Sequence, residues 1–149
     1  MSETEQQAKI LVVDDSEVTL FKLKAILARQ GHQVTTNAEP AAALAWLQET
    51  TSLPDLILCD VSMPDLDGYD FVRQVRGDAR TARVPIIMLT SHTEVDHKIT
   101  GFQAGVDDYV GKTVSPAELE LRITALLART RSPLGEGLEF KAKALSVFS

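Results

Sequence analysis

Five side chains in this sequence stand where a strand-like run stops. Asp14 and Asp15 follow residues 9–13 (KILVV), Asp60 follows residues 56–59 (LILC), Thr90 follows residues 85–89 (PIIML), and Lys112 follows residues 107–111 (DDYVG). Short apolar runs bounded by turn residues read as strands buried on both faces, the pattern of a parallel sheet. In such a sheet all C-terminal strand ends lie along one edge, where open α/β sheets take their ligands. Carboxylates ~4.5 Å apart repel by about 4 kcal/mol per pair at an effective dielectric near 20, a cost met by a proton or a cation. A cation is expected here. With no His or Cys at metal-ligand spacing, the oxygen-only set favours Mg²⁺, with Mn²⁺ as the alternative. Octahedral Mg²⁺ keeps waters and accepts a phosphate oxygen, so Lys112 and the Thr90 hydroxyl would serve a tetrahedral anion. One carboxylate can then attack phosphorus while cationic groups neutralise the equatorial oxygens. The chemistry expected of the set is phosphoryl transfer to an aspartate.

The elements that must position these groups are legible in order. Ser16 reads as the N-cap of a helix whose apolar stripe is assigned to Val18, Phe21, Ile26 and Leu27, ending near Gln30 with Gly31 as its C-terminal glycine. A short strand over residues 33–36 and an Ala-rich helix through Trp46 follow, with Pro40 confined to the first turn. Pro64 and Gly68 end the Asp60 strand and set a loop. A third helix over residues 69–79 puts Phe71, Val72 and Val75 inward and leaves Arg73, Arg76 and Arg80 facing solvent. Residues 93–103 read as a helix with a thin apolar stripe of Val95, Ile99 and Phe102. Ser115-Pro116-Ala117-Glu118 combines a capping box with Pro at the first helical position, and Leu119, Ile123, Leu126 and Leu127 carry that last helix to about Arg129. Five strands alternating with five helices predict an α/β fold, a doubly wound five-stranded parallel sheet with helices on both faces.

Composition narrows the function further. The chain has 149 residues, a formal charge of -6 and one cysteine, Cys59. The acidic balance argues against a nucleic-acid surface in this segment. A single Cys in an apolar run reads as a buried thiol in a reducing compartment. No run approaches a membrane span and the polar start lacks an apolar leader, so a cytoplasmic protein is expected, without membrane partners. The domain reading is a polar arm over residues 1–8, one globular unit over 9–130, and a linker or tail over 131–149. Residues 144–148 (ALSVF) look like a strand opening a truncated further domain, against an added edge strand or an unstructured tail.

The motifs VVDDS (12–16), DVSMPDLDG (60–68), MLTS (88–91) and GVDDYVGK (105–112), in this order and spacing, resemble the receiver domains of two-component response regulators. The resemblance covers about residues 9–129 and implies a flavodoxin-like five-stranded parallel sheet of order 2-1-3-4-5 with helices on both faces. It implies that Asp60 accepts a phosphoryl group from the phosphohistidine of a sensor histidine kinase or phosphotransfer protein. It implies that Asp14 and Asp15 hold Mg²⁺ together with Asp60 and the backbone carbonyl of Ser62. By the same likeness Lys112 pairs with the phosphoryl group, Thr90 closes on it, and Tyr109 is the switch aromatic that moves between outward and inward positions. The fourth helix, fifth strand and fifth helix would form the output face, which could also serve a homodimer. A signalling module, not an enzyme, is the reading. The competing classes are a Mg²⁺-dependent aspartyl-phosphate phosphatase, which would want a second acid two residues after Asp60 where Ser62 stands, and a flavodoxin-like electron carrier, which would want a Ser/Thr-rich phosphate loop after the first strand.

This chain departs from the family at two points. Thr113 follows Lys112 where the family usually has a proline behind a cis bond. Because a cis bond before a non-proline residue costs ~2.5–4 kcal/mol, a trans Lys112–Thr113 bond is expected, with the reach of Lys112 in question. Ser91 stands where alanine is common and, with Ser62 and His92, borders the path of an attacking water.

Overall fold

The computed structural model describes residues 7–91 and 104–131. Five strands, β1 (Lys9–Val13), β2 (Gln33–Asn37), β3 (Leu56–Asp60), β4 (Ile86–Thr90) and β5 (Asp108–Gly111), form one sheet of order β2-β1-β3-β4-β5. Every neighbouring pair is parallel. The described helices are α1 (Glu17–Arg29), α2 (Pro40–Glu49), α3 (Gly68–Gly77) and α4 (Pro116–Arg131). The helix expected over residues 93–103, with His92, Asp96 and His97, and the tail from residue 132 lie outside the described residues.

The sheet separates two apolar cores. Successive strand residues point to opposite faces, so Leu11, Val13, Ile57, Cys59, Ile86, Met88 and Tyr109 join Ala43 and Leu47 of α2 and Phe71, Val72 and Val75 of α3. The alternate positions Ile10, Val12, Leu56, Leu58, Ile87, Leu89 and Val110 pack on the other face against α1 and α4. Trp46 sits half-buried against the first core, as helix–sheet packing. β3 and β4 are buried throughout, which is why both read as continuous apolar runs.

Helix ends follow local chemistry. Ser16 Oγ accepts from the Thr19 N–H at 3.2 Å, and Gly31 takes φ 96° just beyond α1, a left-handed conformation that suits glycine. Asp67 caps α3 by accepting from the Asp70 N–H at 2.9 Å. The Glu118 N–H donates to Ser115 Oγ at 3.1 Å, one half of the expected capping box. α4 runs through Arg131, so the boundary expected at residue 130 falls within its last turn.

Two assignments need correction. In α1 the buried stripe is Leu20, Leu23 and Leu27, whereas Val18 and Phe21 are 79% and 78% exposed. Spacings of three and four residues put 20, 23 and 27 on one face, and 18 and 21 fall outside that arc. Arg76 does not face solvent: it is half-buried and donates to the carbonyls of Gly105, Ala82 and Val84 and to Asp107. Arg80 donates to the carbonyls of Leu47, Gln48 and Thr50 and so ties down the end of α2. Arg73 and Arg80 are exposed as expected, with Arg73 paired with Asp70 along the helix. Arg122 of α4 bridges Asp108 and Glu118 of its own chain.

Candidate functional site

Strand register brings the chemical groups level. Asp60 pairs with Leu89 and Thr90 with Gly111 across neighbouring strands, and the ladder continues one step beyond the strands. There the Val61 N–H donates to Leu89 O at 3.0 Å and the Lys112 N–H to Thr90 O at 3.0 Å. On the other side the Asp14 N–H donates to Asn37 O at 3.2 Å. These bonds fix the backbone on which the acidic and basic side chains stand. Asp15, Asp60, Val61, Ser62, Thr90, Ser91 and Lys112 line a cleft of about 220 Å³ at this edge.

Asp14, Asp15 and Asp60 each offer a carboxylate oxygen, all within 4.8 Å of one another. Asp14 is fully buried, Asp60 is buried and Asp15 is exposed. Asp14 Oδ1 accepts from the Ser16 N–H at 2.9 Å, which orients the carboxylate and ties it to the start of α1. Among the described residues its Oδ2 accepts no hydrogen bond of good geometry, and the Lys112 ammonium lies 3.0 Å from it. A buried carboxylate oxygen short of hydrogen bonds inside an oxygen-only triad is a donor set suited to a hard divalent cation. The residues therefore fit Mg²⁺.

Lys112 Nζ also lies 3.4 Å from Asp60 Oδ1, and the Ser62 N–H donates to that same oxygen at 3.4 Å. Asp60 is nevertheless pushed up to about 6. Burial is the main cause and the Asp14 charge adds to it, with Lys112 and the Ser62 N–H pulling the other way. Lys112 is raised: burial alone would lower it, but its contacts with Asp14 and Asp60 outweigh that. No described peptide bond is cis, so Lys112–Thr113 is trans, and Lys112 still reaches both acids. Burial raises the Cys59 thiol well above its ordinary value, with the neighbouring acids adding to the effect, as suits a packing residue.

Gly68 makes the tight return after Asp60 possible. Its N–H donates to Val61 O at 2.8 Å, and a Cβ there would stand 2.2 Å from the Asp60 carbonyl oxygen. Tyr109 is buried with its hydroxyl 3.1 Å from that of Tyr69. Sequence reasoning missed this contact, which has no local signature because it joins α3 to β5. It placed Lys112 and Asp14 at one edge but gave the lysine to the phosphoryl group, not to a pair with Asp14.

The model of the response regulator receiver domain matches residues 10–124. The chain belongs to that family. As a member of the two-component receiver domains it is 38% identical over 123 residues to Protein PilH of Pseudomonas aeruginosa, covering 81% of this chain and 98% of that one. It is 40% identical over 122 residues to the alkaline phosphatase synthesis transcriptional regulatory protein PhoP of Bacillus subtilis, covering 82% of this chain. There the chain spans about half the length of its relative, 49%. Among solved structures, the receiver domain of the Pseudomonas aeruginosa sensor histidine kinase PA1611, which has a magnesium ion coordinated in its active-site cleft, superposes with a TM-score of 0.75 at 32% identity, covering 82% of this chain and 98% of that one. Receiver domains are signalling modules rather than classical enzymes, and no described helix of this one is long and apolar enough to cross a membrane.

Proposed function

We propose that this receiver domain, over residues 9–130, is the phosphoacceptor of a cytoplasmic two-component system, taking a phosphoryl group onto Asp60 from the phosphohistidine of a sensor histidine kinase or phosphotransfer protein. The observation that carries the reading is the meeting of Asp14, Asp15, Asp60 and Lys112 at one sheet edge. Asp14, Asp15, Asp60 and the backbone carbonyl of Ser62 are the groups that would hold Mg²⁺, with Mn²⁺ as a substitute. The ion supplies charge neutralisation for the carboxylates and the phosphoryl oxygens. Asp60 attacks phosphorus, the P–N bond to the donor imidazole breaks, and the departing nitrogen keeps the electron pair as a neutral ring nitrogen. Lys112 neutralises an equatorial oxygen, and the Thr90 hydroxyl, on the wall of the same cleft, closes on another. The acyl phosphate adds about two negative charges, and Thr90 and Tyr109 readjust to alter the face formed by residues 93–103, β5 and α4. That face is the proposed site of output contacts and of any homodimer.

The test is labelling by acetyl phosphate in Mg²⁺, read by intact mass, with Asp60→Ala alongside. One added phosphoryl group on the wild type and none on the variant is the expected result. Labelling that survives the substitution would sink the assignment, and sustained turnover of phosphate esters would favour a phosphatase instead.

A further inference from the structure

We propose that Tyr69 is a positioning residue for the switch: its hydroxyl latches the Tyr109 hydroxyl inward and ties β5 directly to the loop that follows Asp60. The inference rests on the reading of Tyr109 as the switch aromatic. Both rings are buried in the core beneath α3, and their hydroxyls lie 3.1 Å apart. A buried phenol oxygen that loses a partner is costly, so each ring restrains the other. Tyr109 stands beside Met88 of β4 in register, and Met88 beside Cys59 of β3, so the ring lies two strands from the acceptor strand.

What makes the latch more than packing is where Tyr69 begins. It follows Gly68, whose N–H donates to Val61 O and whose α-carbon faces the Asp60 carbonyl so closely that no Cβ would fit. The first turn of α3 is therefore seated on the end of β3, and a shift of the backbone at residues 60–61 must move Tyr69. Among the described residues, Tyr109 thus has two mechanical connections to the phosphorylation site. One runs through β4, where the Lys112 N–H bonds Thr90 O next to β5, and the other through Gly68 and Tyr69. Loss of the second should leave Tyr109 freer to leave the interior and weaken the site's preference for a phosphoryl-like ligand, since inward Tyr109 is then a minority form that binding must restore.

The chain contains just two tyrosines, so both can be watched. The full chain is labelled with 3-fluorotyrosine and followed by fluorine NMR, and beryllofluoride is titrated in Mg²⁺ as the acyl-phosphate mimic. Tyr69→Phe keeps the ring and leaves only the Tyr109 resonance. In the variant that resonance should gain solvent accessibility before any ligand is added, and half-saturation by beryllofluoride should rise roughly five- to tenfold, the scale of one lost buried hydrogen bond. Tyr69→Phe combined with Tyr109→Phe should be no weaker than Tyr109→Phe alone, because both remove the same contact. An unchanged Tyr109 resonance with a half-saturation within twofold of wild type, or additive effects in the double variant, would overturn the latch. A wild-type protein that takes no beryllofluoride would instead overturn the phosphoacceptor reading on which it rests.

Discussion

Lys112 Nζ lies closer to Asp14, at 3.0 Å, than to the acceptor Asp60, at 3.4 Å. The lysine bridges the two buried acids of the cleft, and among the described residues it is the nearest counter-charge to the one that is fully buried. Removing it leaves two burial-penalised carboxylates facing each other. Lys112→Met should therefore destabilise the metal-free protein by about 2–4 kcal/mol at pH 7.5, measured by urea denaturation in a chelator. Mg²⁺ should restore part of that loss, while labelling by acetyl phosphate stays impaired.

The raised Asp60 carboxyl makes a signed prediction about pH. Its pKa is about 6 in the folded chain against an ordinary value of 3.8, so between those limits the native state holds the proton more tightly than the unfolded state. Stability contributed at this position consequently falls as pH rises from about 4 to 6 and stays low above it, by on the order of 2–3 kcal/mol. Asp60→Asn should raise the melting temperature of the metal-free protein at pH 7.5 and change it little at pH 4. Mg²⁺ should stabilise the wild type at pH 7.5 more than the variant, and calorimetry at the two pH values checks both statements.

Arg76 offers a structural counterpart outside the cleft. Its guanidinium joins α3 to three backbone carbonyls and to Asp107, which in turn accepts from the Ile86 N–H at 2.8 Å at the start of β4. Burial lowers its pKa and Asp107 opposes that shift. Arg76→Ala should cost about 2–4 kcal/mol in denaturant unfolding, and Arg76→Lys should recover little, because one ammonium cannot reach the same fork of acceptors.

How much of this was legible beforehand depended on range. Strand ends, caps and the inner stripe of α4 follow from local periodicity and turn chemistry, so Asp14, Asp60, Thr90 and Lys112 could be placed at one edge from alternation alone. Leu119, Ile123, Leu126 and Leu127 all lie in the core as their spacing indicates. The α1 stripe was misread because Val18 and Phe21 are apolar but outside the arc that Leu20, Leu23 and Leu27 define. Arg76 was read as solvated because nothing near it in sequence announces a cluster of carbonyls supplied by distant turns. The Tyr69–Tyr109 contact, between α3 and β5, is likewise set by the tertiary fold and not by local sequence. Phe21→Ser should accordingly change stability by less than about 0.5 kcal/mol, whereas Leu23→Ala should cost about 2–4 kcal/mol in the same urea experiment.

Gly68 gives the sharpest local test, because the space it leaves is bounded by backbone and not only by a pliable side chain. A Cβ at this position would stand 2.2 Å from the Asp60 carbonyl oxygen, 2.7 Å from Met88 Cε and 3.0 Å from Val61 Cα. Met88 can rotate away. The carbonyl cannot move without disturbing β3 and the Gly68–Val61 hydrogen bond that closes the loop. Gly68→Ala should therefore cost about 2–3 kcal/mol, even though alanine favours a helix more than glycine does by about 1 kcal/mol. If the acceptor loop relaxes to admit the methyl group, Asp60 must shift with it, and labelling by acetyl phosphate should slow by roughly tenfold or more, the penalty of misplacing a reacting group by a fraction of an ångström. A Gly68→Ala protein with both wild-type stability in urea and wild-type labelling kinetics would show that the close seating of α3 on the end of β3 constrains neither the fold nor the acceptor.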